Sequence, residues 1–184
     1  IKNKKMKNKI VYVALSVDVL HHGHINLINQ AKKYGKVVAG LLTDHAITSQ
    51  KRLPLLNFNQ RKKILENISG ISKVIAQNEW EYSKNILKLK PDYMVHGDDW
   101  NFGADKLLKE GTLKALKKVG GKLIEIPHTK NISSHSIKDR MYADATLPSN
   151  RQETLRRLLE AKKLSRFIEA HSPLSAIIAE QTFY

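Results

Sequence analysis

The sequence predicts an α/β protein: a parallel sheet of about five strands with helices on both faces, plus a C-terminal helical extension. Three observations predict it. Short apolar runs rich in Val and Ile alternate with stretches whose apolar residues recur at helical spacing. The runs are near-continuous rather than alternating apolar with polar, as in strands buried on both faces. Polar residues directly follow four of the runs, where parallel sheets bind their ligands.

Ile10–Leu15 reads as the first strand, and Ile25, Leu27, Ile28 and Ala31 mark a helix over about 24–34 that stops near Gly35. Val37–Leu42 reads as the second strand. Asn57 followed by Gln60 has the form of a capping box ahead of Ile64, Leu65 and Ile68, which predicts a helix over about 58–69. Lys73–Ala76 is the third predicted strand, followed by a helix over about 82–89. Pro91-Asp92 opens the fourth strand, Tyr93–His96. A helix over about 104–119 ends at Gly120-Gly121, and Lys122–Ile126 is the fifth strand. This alternation is that of a Rossmann-like sheet.

The 184 residues suffice for one domain and an appendage, and 41% hydrophobic content supports a packed core. With no cysteine there is no disulfide framework, so a cytoplasmic location is expected. No apolar run reaches the ~20 residues of a membrane span. The net charge of +15 invites a nucleic-acid reading, but its distribution weakens it. Five lysines lie in residues 2–9, which read as a disordered basic tail, and Lys114, Lys117 and Lys118 sit at the spacing of a wet helix face. The chain begins at Ile1 with Met6 internal, so it reads as a fragment. Character changes near 145–149, giving a tail over 1–9, a principal domain over 10–145, and a linker helix with the start of a second unit over 146–184. Leu155, Leu158, Leu159 and Phe167 give that last segment an apolar face, expected to dock on a second domain or another subunit.

The most informative residues are His21, His22, Gly23 and His24, where the first strand hands over to a helix. Free N–H groups and the positive end of the helix dipole favour an anion there. Two imidazoles beside such a helix start suit a triphosphate whose charge grows during reaction. Zinc chemistry is disfavoured by the missing cysteines, and no GxxxxGK[ST] run is present. Arg61 is read either at the phosphates or as an exposed helix residue. Asp98 and Asp99 are read as acceptors for a base amino group or ribose, or as a loop turn. Trp100 either stacks on a base or caps the core.

Asp18-Val-Leu-His21-His-Gly23-His24 resembles the HxGH signature of the cytidylyltransferases, and Asn131-Ile132-Ser133-Ser134 resembles their second signature. His96-Gly97-Asp98-Asp99-Trp100 is similar to the GDDW run of glycerol-phosphate members, and Gln60-Arg61-Lys62 to the arginine-bearing helix. The resemblance covers about residues 9–140, and its closest form is the cytidylyltransferase domain attached to phosphoenolpyruvate mutases in phosphonate biosynthesis. It implies attack of a phosphate or phosphonate oxygen on the α-phosphorus of CTP, with Mg²⁺ assisting and pyrophosphate leaving. By this resemblance His21, His24 and Lys51 are the catalytic residues. Ser16, Asp18, Gly23, Arg61, Asp98, Asp99, His128, Ile132, Ser133 and Ser134 bind the nucleotide, and Arg52 binds the acceptor. The expected acceptor is a phosphonate such as 2-aminoethylphosphonate or 2-hydroxyethylphosphonate. The alternative is a phosphate ester such as glycerol 3-phosphate or phosphocholine. A homodimer and a fused mutase domain are the expected partners.

The sequence departs from the family pattern in three places. His128 stands where the second signature usually has arginine, Asn131 where it has glycine, and Leu15 where a glycine often precedes the motif aspartate. Two rivals stand beside this reading. One is an adenylyl-transferring relative, against which the absence of a KMSKS-like segment counts. The other is a basic nucleic-acid-binding module, which would bind in a salt-sensitive way without nucleotide turnover.

Overall fold

The computed structural model describes residues 9–100, 105–129, 137, 148–161, 172–173 and 176–177. Five strands form one parallel sheet: β1 (Ile10–Leu15), β2 (Lys36–Leu42), β3 (Ile71–Gln77), β4 (Tyr93–Gly97) and β5 (Lys122–Ile126). Their spatial order is β3-β2-β1-β4-β5. The chain steps outward on one side of β1, then crosses to the other, so the order reverses between β1 and β4. Ligands of open α/β sheets bind at such a reversal, beyond the carboxyl ends of the strands.

The helices are α1 (His22–Ala31), α2 (Asp44–Thr48), α3 (Phe58–Glu66), α4 (Ser83–Leu89), α5 (Asp105–Val119) and α6 (Pro148–Ala161). Side chains alternate along β1, so Val11, Val13 and Leu15 join one core with Ile28 of α1 and Leu65 of α3. Tyr12 and Ala14 join the opposite core with Tyr82, Ile86, Trp100 and Leu116. Both faces are thus covered, as the near-continuous apolar strands require.

Local chemistry explains the element ends. Asn57 Oδ1 accepts from the Gln60 N–H, and the Gln60 side chain accepts from the Asn57 N–H, closing the expected box at α3. α5 stops at Gly120, whose φ of +75° an L side chain rarely adopts. There the Gly121 N–H donates to Leu116 O and the Gly120 N–H to Lys117 O, satisfying the last carbonyls.

Two differences from the sequence reading bear on the site. α1 begins at His22, two residues earlier than the apolar spacing indicates, so His24 lies inside its first turn. The segment after β2 contains α2, whose five residues are too few to show a helical period. It is nucleated instead by Thr43 Oγ1, which accepts from the Ala46 N–H.

Arg61 is placed differently from either sequence reading. It is wholly buried beneath the loops at the carboxyl edge. Its Nη1 donates to Ser16 O at 2.6 Å and Leu42 O at 2.8 Å, its Nε to Leu56 O at 3.0 Å, and its Nη2 to Asp44 Oδ1 at 2.5 Å. In this structure the guanidinium braces three loops rather than facing a phosphate. Arg61→Leu leaves the carboxylate and the carbonyls without these donors, and should destabilise the fold by on the order of 3 kcal/mol. The measurement is the urea midpoint, and an unchanged midpoint would show that the loops hold themselves.

Candidate active site

The turn from β1 to α1 is strained and tightly held. Val17 has φ of +48° although it is β-branched, and it is 1% exposed. Such a conformation costs about 1–3 kcal/mol and persists only where surroundings over-determine it. Burial of the Val17 side chain and the Arg61 bond to Ser16 O supply that constraint. Asp18, 5% exposed, accepts from the Leu56 N–H through Oδ1 at 3.3 Å.

His21 caps α1 in extended backbone conformation. Its N–H donates to Nδ1 of His24 at 3.3 Å, and the two rings lie 3.9 Å apart. Because His24 Nδ1 accepts, the neutral ring carries its proton on Nε2. Burial pushes the His24 pKa down to about 4, with the charges of His21 and His128 adding in the same direction. Burial also lowers His21, helped by His22 and His128. His21 Nδ1 is buried with no hydrogen-bond partner among the described residues. The pair is therefore neutral near pH 7 and offers N–H donors rather than two fixed positive charges.

These rings open onto a cavity of about 330 Å³. Ser16, His21, Gly23 and His24 line it from the β1–α1 side, and Lys51 from the loop after α2. Trp80 and Tyr82 enter from the loop after β3, His96 and Gly97 from the end of β4, and His128 and Thr129 from the end of β5. Lys51 Nζ sits 5.0 Å from the centre of the Trp80 ring, within cation–π range. Trp100 takes the core position of its two readings. It is 2% exposed in the core, lies on the cavity wall, and stacks on His96 at 3.7 Å. Its Nε1–H donates to Glu125 Oε1.

The structure thus brings together Ser16, His21, Gly23, His24, Lys51 and His128 of the expected site residues. Asp18 and Arg61 lie behind the site as braces. Asp98 is exposed, and its Oδ1 accepts from the His128 N–H at 2.8 Å, so it positions the β5 loop. Arg52 is exposed beside Lys51 and does not line the cavity. Asp99 falls in a single 3₁₀ turn, Asp98–Trp100. Ile132, Ser133 and Ser134 lie outside the described residues. Trp80 and Tyr82 were not anticipated, although two aromatics just beyond a parallel strand are a usable signal.

α6 also reaches the loop that follows Lys51 and Arg52. Arg157 donates to Leu55 O at 2.7 Å and Pro54 O at 2.8 Å, and His45 Nδ1–H donates to Ala161 O at 2.8 Å. The segment carrying Lys51 and Arg52 is therefore tied by Asp18, Arg61 and Arg157 together.

Two tests follow from this geometry. Removing the two Arg157 bonds, at about 0.5–1.5 kcal/mol each, makes the open loop roughly tenfold more populated. Trypsin should accordingly cleave Arg157→Ala faster after Lys51 and Arg52; equal cleavage would show that α6 does not hold the loop. The second concerns pH. The folded pKa of His24, about 4, lies below its ordinary 6.5, so the unfolded chain takes up the proton first. This residue therefore makes stability fall as pH drops from about 6.5 toward 4. His24→Asn should flatten that fall in thermal unfolding across this window, and an undiminished slope would refute neutral burial.

A cytidylyltransferase-like family profile matches residues 16–140. Glycerol-3-phosphate cytidylyltransferase of Bacillus subtilis is 33% identical over 138 residues, 74% of this chain and 98% of that protein. Ethanolamine-phosphate cytidylyltransferase of Arabidopsis thaliana is 29% identical over 145 residues, 75% of this chain but only 33% of the plant protein, so the chain spans about a third of that relative. Among solved structures, a lipopolysaccharide core biosynthesis protein from Thermoplasma volcanium superposes with TM-score 0.54 at 22% identity, covering 67% of this chain and 98% of that one. That likeness supports the Rossmann-like fold. With the profile spanning both the β1–α1 turn and the loops that meet it, the chain belongs to the cytidylyltransferase-like family and thereby to the nucleotidyltransferases.

Proposed function

We propose that the chain transfers CMP from CTP to a phosphate monoester. An acceptor phosphate oxygen forms a bond to the α-phosphorus of CTP. The bond from that phosphorus to the bridging oxygen breaks, and the electron pair leaves with pyrophosphate. The neutral His21–His24 pair at the start of α1 carries this reading. Its N–H donors and the helix start stabilise charge on the phosphate oxygens. Lys51, also on the cavity wall, neutralises the incoming acceptor. Asp18 and Arg61 act through the loops they hold. Phosphoryl transfer of this kind needs positioning and charge neutralisation more than covalent help from protein.

Mg²⁺ enters with the nucleotide in this proposal. Among the described residues no three His, Cys, Asp or Glu side chains gather into a metal cage. The donor set suits a cation held mainly by phosphates and water, the usual Mg²⁺ arrangement. Asp98 and Asp99 remain the proposed acceptors for the cytosine amino group.

The phosphate ester takes precedence over the phosphonate read from the sequence. The Bacillus and Arabidopsis relatives are named for glycerol 3-phosphate and ethanolamine phosphate, and nothing in the cavity favours a carbon–phosphorus bond. The test is pyrophosphate release with CTP or ATP against glycerol 3-phosphate, ethanolamine phosphate, 2-aminoethylphosphonate and 2-hydroxyethylphosphonate. CTP with a phosphate ester should turn over fastest, and His24→Ala should lower kcat by about 10²-fold. A faster phosphonate would reverse the acceptor choice. Equal use of ATP and CTP would remove the cytidylyl assignment, and near-normal turnover by His24→Ala would reduce the histidines to a turn.

A further inference from the structure

Gln77, the last residue of β3, is 1% exposed, and its side-chain amide is fully engaged. Nε2 donates to Glu79 O at 2.7 Å and to Glu81 O at 2.8 Å. Oε1 accepts from the Tyr12 hydroxyl at 2.6 Å and from Asn85 Nδ2 at 2.7 Å. The two carbonyls require donors, which assigns the orientation of the amide. Its backbone carbonyl in turn accepts from the Thr43 N–H, joining the exits of β2 and β3. Tyr12 is held in register by Gly40, where an added Cβ would meet its hydroxyl at 2.0 Å.

The segment fixed by this amide carries Trp80 and Tyr82, both on the cavity wall. Tyr82 packs in the core on the Tyr12 face of the sheet, whereas α1 packs on the Val11 and Val13 face. Trp80 and Tyr82 therefore close the cavity from the side away from His21 and His24. Lys51, to which the function proposed above gives the acceptor phosphate, lies over the Trp80 ring, so this wall is read as the acceptor end. Trp80 also supports Lys51.

We propose that Gln77 is a positioning residue for the acceptor end of the cavity, fixing Trp80, Tyr82 and through them Lys51. The acceptor part rests on the function proposed above. No other side chain fits both roles at this position: Glu lacks the donors, Leu lacks every polar atom, and Asn is one methylene short. The unpaired alternatives are costly because the site is buried.

The test uses the full chain carrying Gln77→Leu or Gln77→Glu beside the wild type. The chain has two tryptophans, and Trp100 is 2% exposed, so acrylamide quenching of fluorescence reports on Trp80. Quenching should rise in both variants. The KM for the acceptor should rise about tenfold while that for CTP stays within about twofold. In Gln77→Glu the excess over wild type at the same pH should shrink from pH 8 to 5.5, because protonation returns one O–H donor to the carbonyls. Should Gln77→Leu fail to fold, Tyr12→Phe removes one of the four bonds and should shift quenching and acceptor KM the same way by less. Unchanged quenching, or a fall in kcat with both KM values unchanged, overturns the proposal; so does a rise confined to the KM for CTP. If the wild type consumes no CTP with any acceptor, the functional reading fails, and quenching alone still decides whether Gln77 fixes Trp80.

Discussion

A single buried guanidinium holds the loop edge of this molecule together. Where parallel strands end, their last carbonyls point into loops that cannot pair with one another, and a buried carbonyl without a donor is costly. Arg61 answers three of these oxygens and one carboxylate at once, from residues 16, 42, 44 and 56. Only a planar fork with five N–H groups reaches so many directions; a lysine ammonium would serve as a point charge. The loops bearing the histidines, α2 and Lys51 therefore share one anchor. The strain at Val17 is tolerable because that anchor sits directly behind it.

Against this rigid backing the electrostatics of the cavity are restrained. The chain is strongly basic, yet His21 and His24 on the cavity wall are kept neutral by burial and by neighbouring histidines. Neutral donors attract a polyanion less than cations would, but they need no counter-charge before the ligand arrives. His24 also keeps a fixed tautomer, because the His21 backbone N–H occupies one of its nitrogens. Positive charge is instead supplied by Lys51, which is exposed at the cavity rim and steadied by Trp80.

Much of this was legible in the sequence where local rules decide the outcome. The strands follow from their unbroken Val and Ile runs, α3 from Asn57 and Gln60, the end of α5 from Gly120-Gly121, and the histidine turn from its place between strand and helix. Arg61 was misread although a signal existed: it lies four residues before Leu65, on the same helix face, and Leu65 is fully buried. A basic residue on an apolar face has to bring its partners inside. Arg157 and Gln77 left no such trace. The first depends on a contact across 102 residues, and the second on a loop whose carbonyls become acceptors only once folded. Asp98 was legible as a strand-end acid, but its bond to the His128 N–H belongs to tertiary structure.

The order β3-β2-β1-β4-β5 also has a meaning in time. β1 pairs with β2 in a register that begins Ile10 to Lys36, so the first half of the sheet closes over short separations. Its other neighbour is β4, with Val11 opposite Tyr93, some eighty residues further along the chain. Pairings over such distances form slowly, because the loop must be closed before any contact rewards it. On a ribosome, the histidines emerge early and wait. In chain order β1, β2 and β3 precede every cavity residue that β4 and β5 supply. The cavity, lined from both sides of β1, is therefore complete only once β4 and then β5 have joined the sheet.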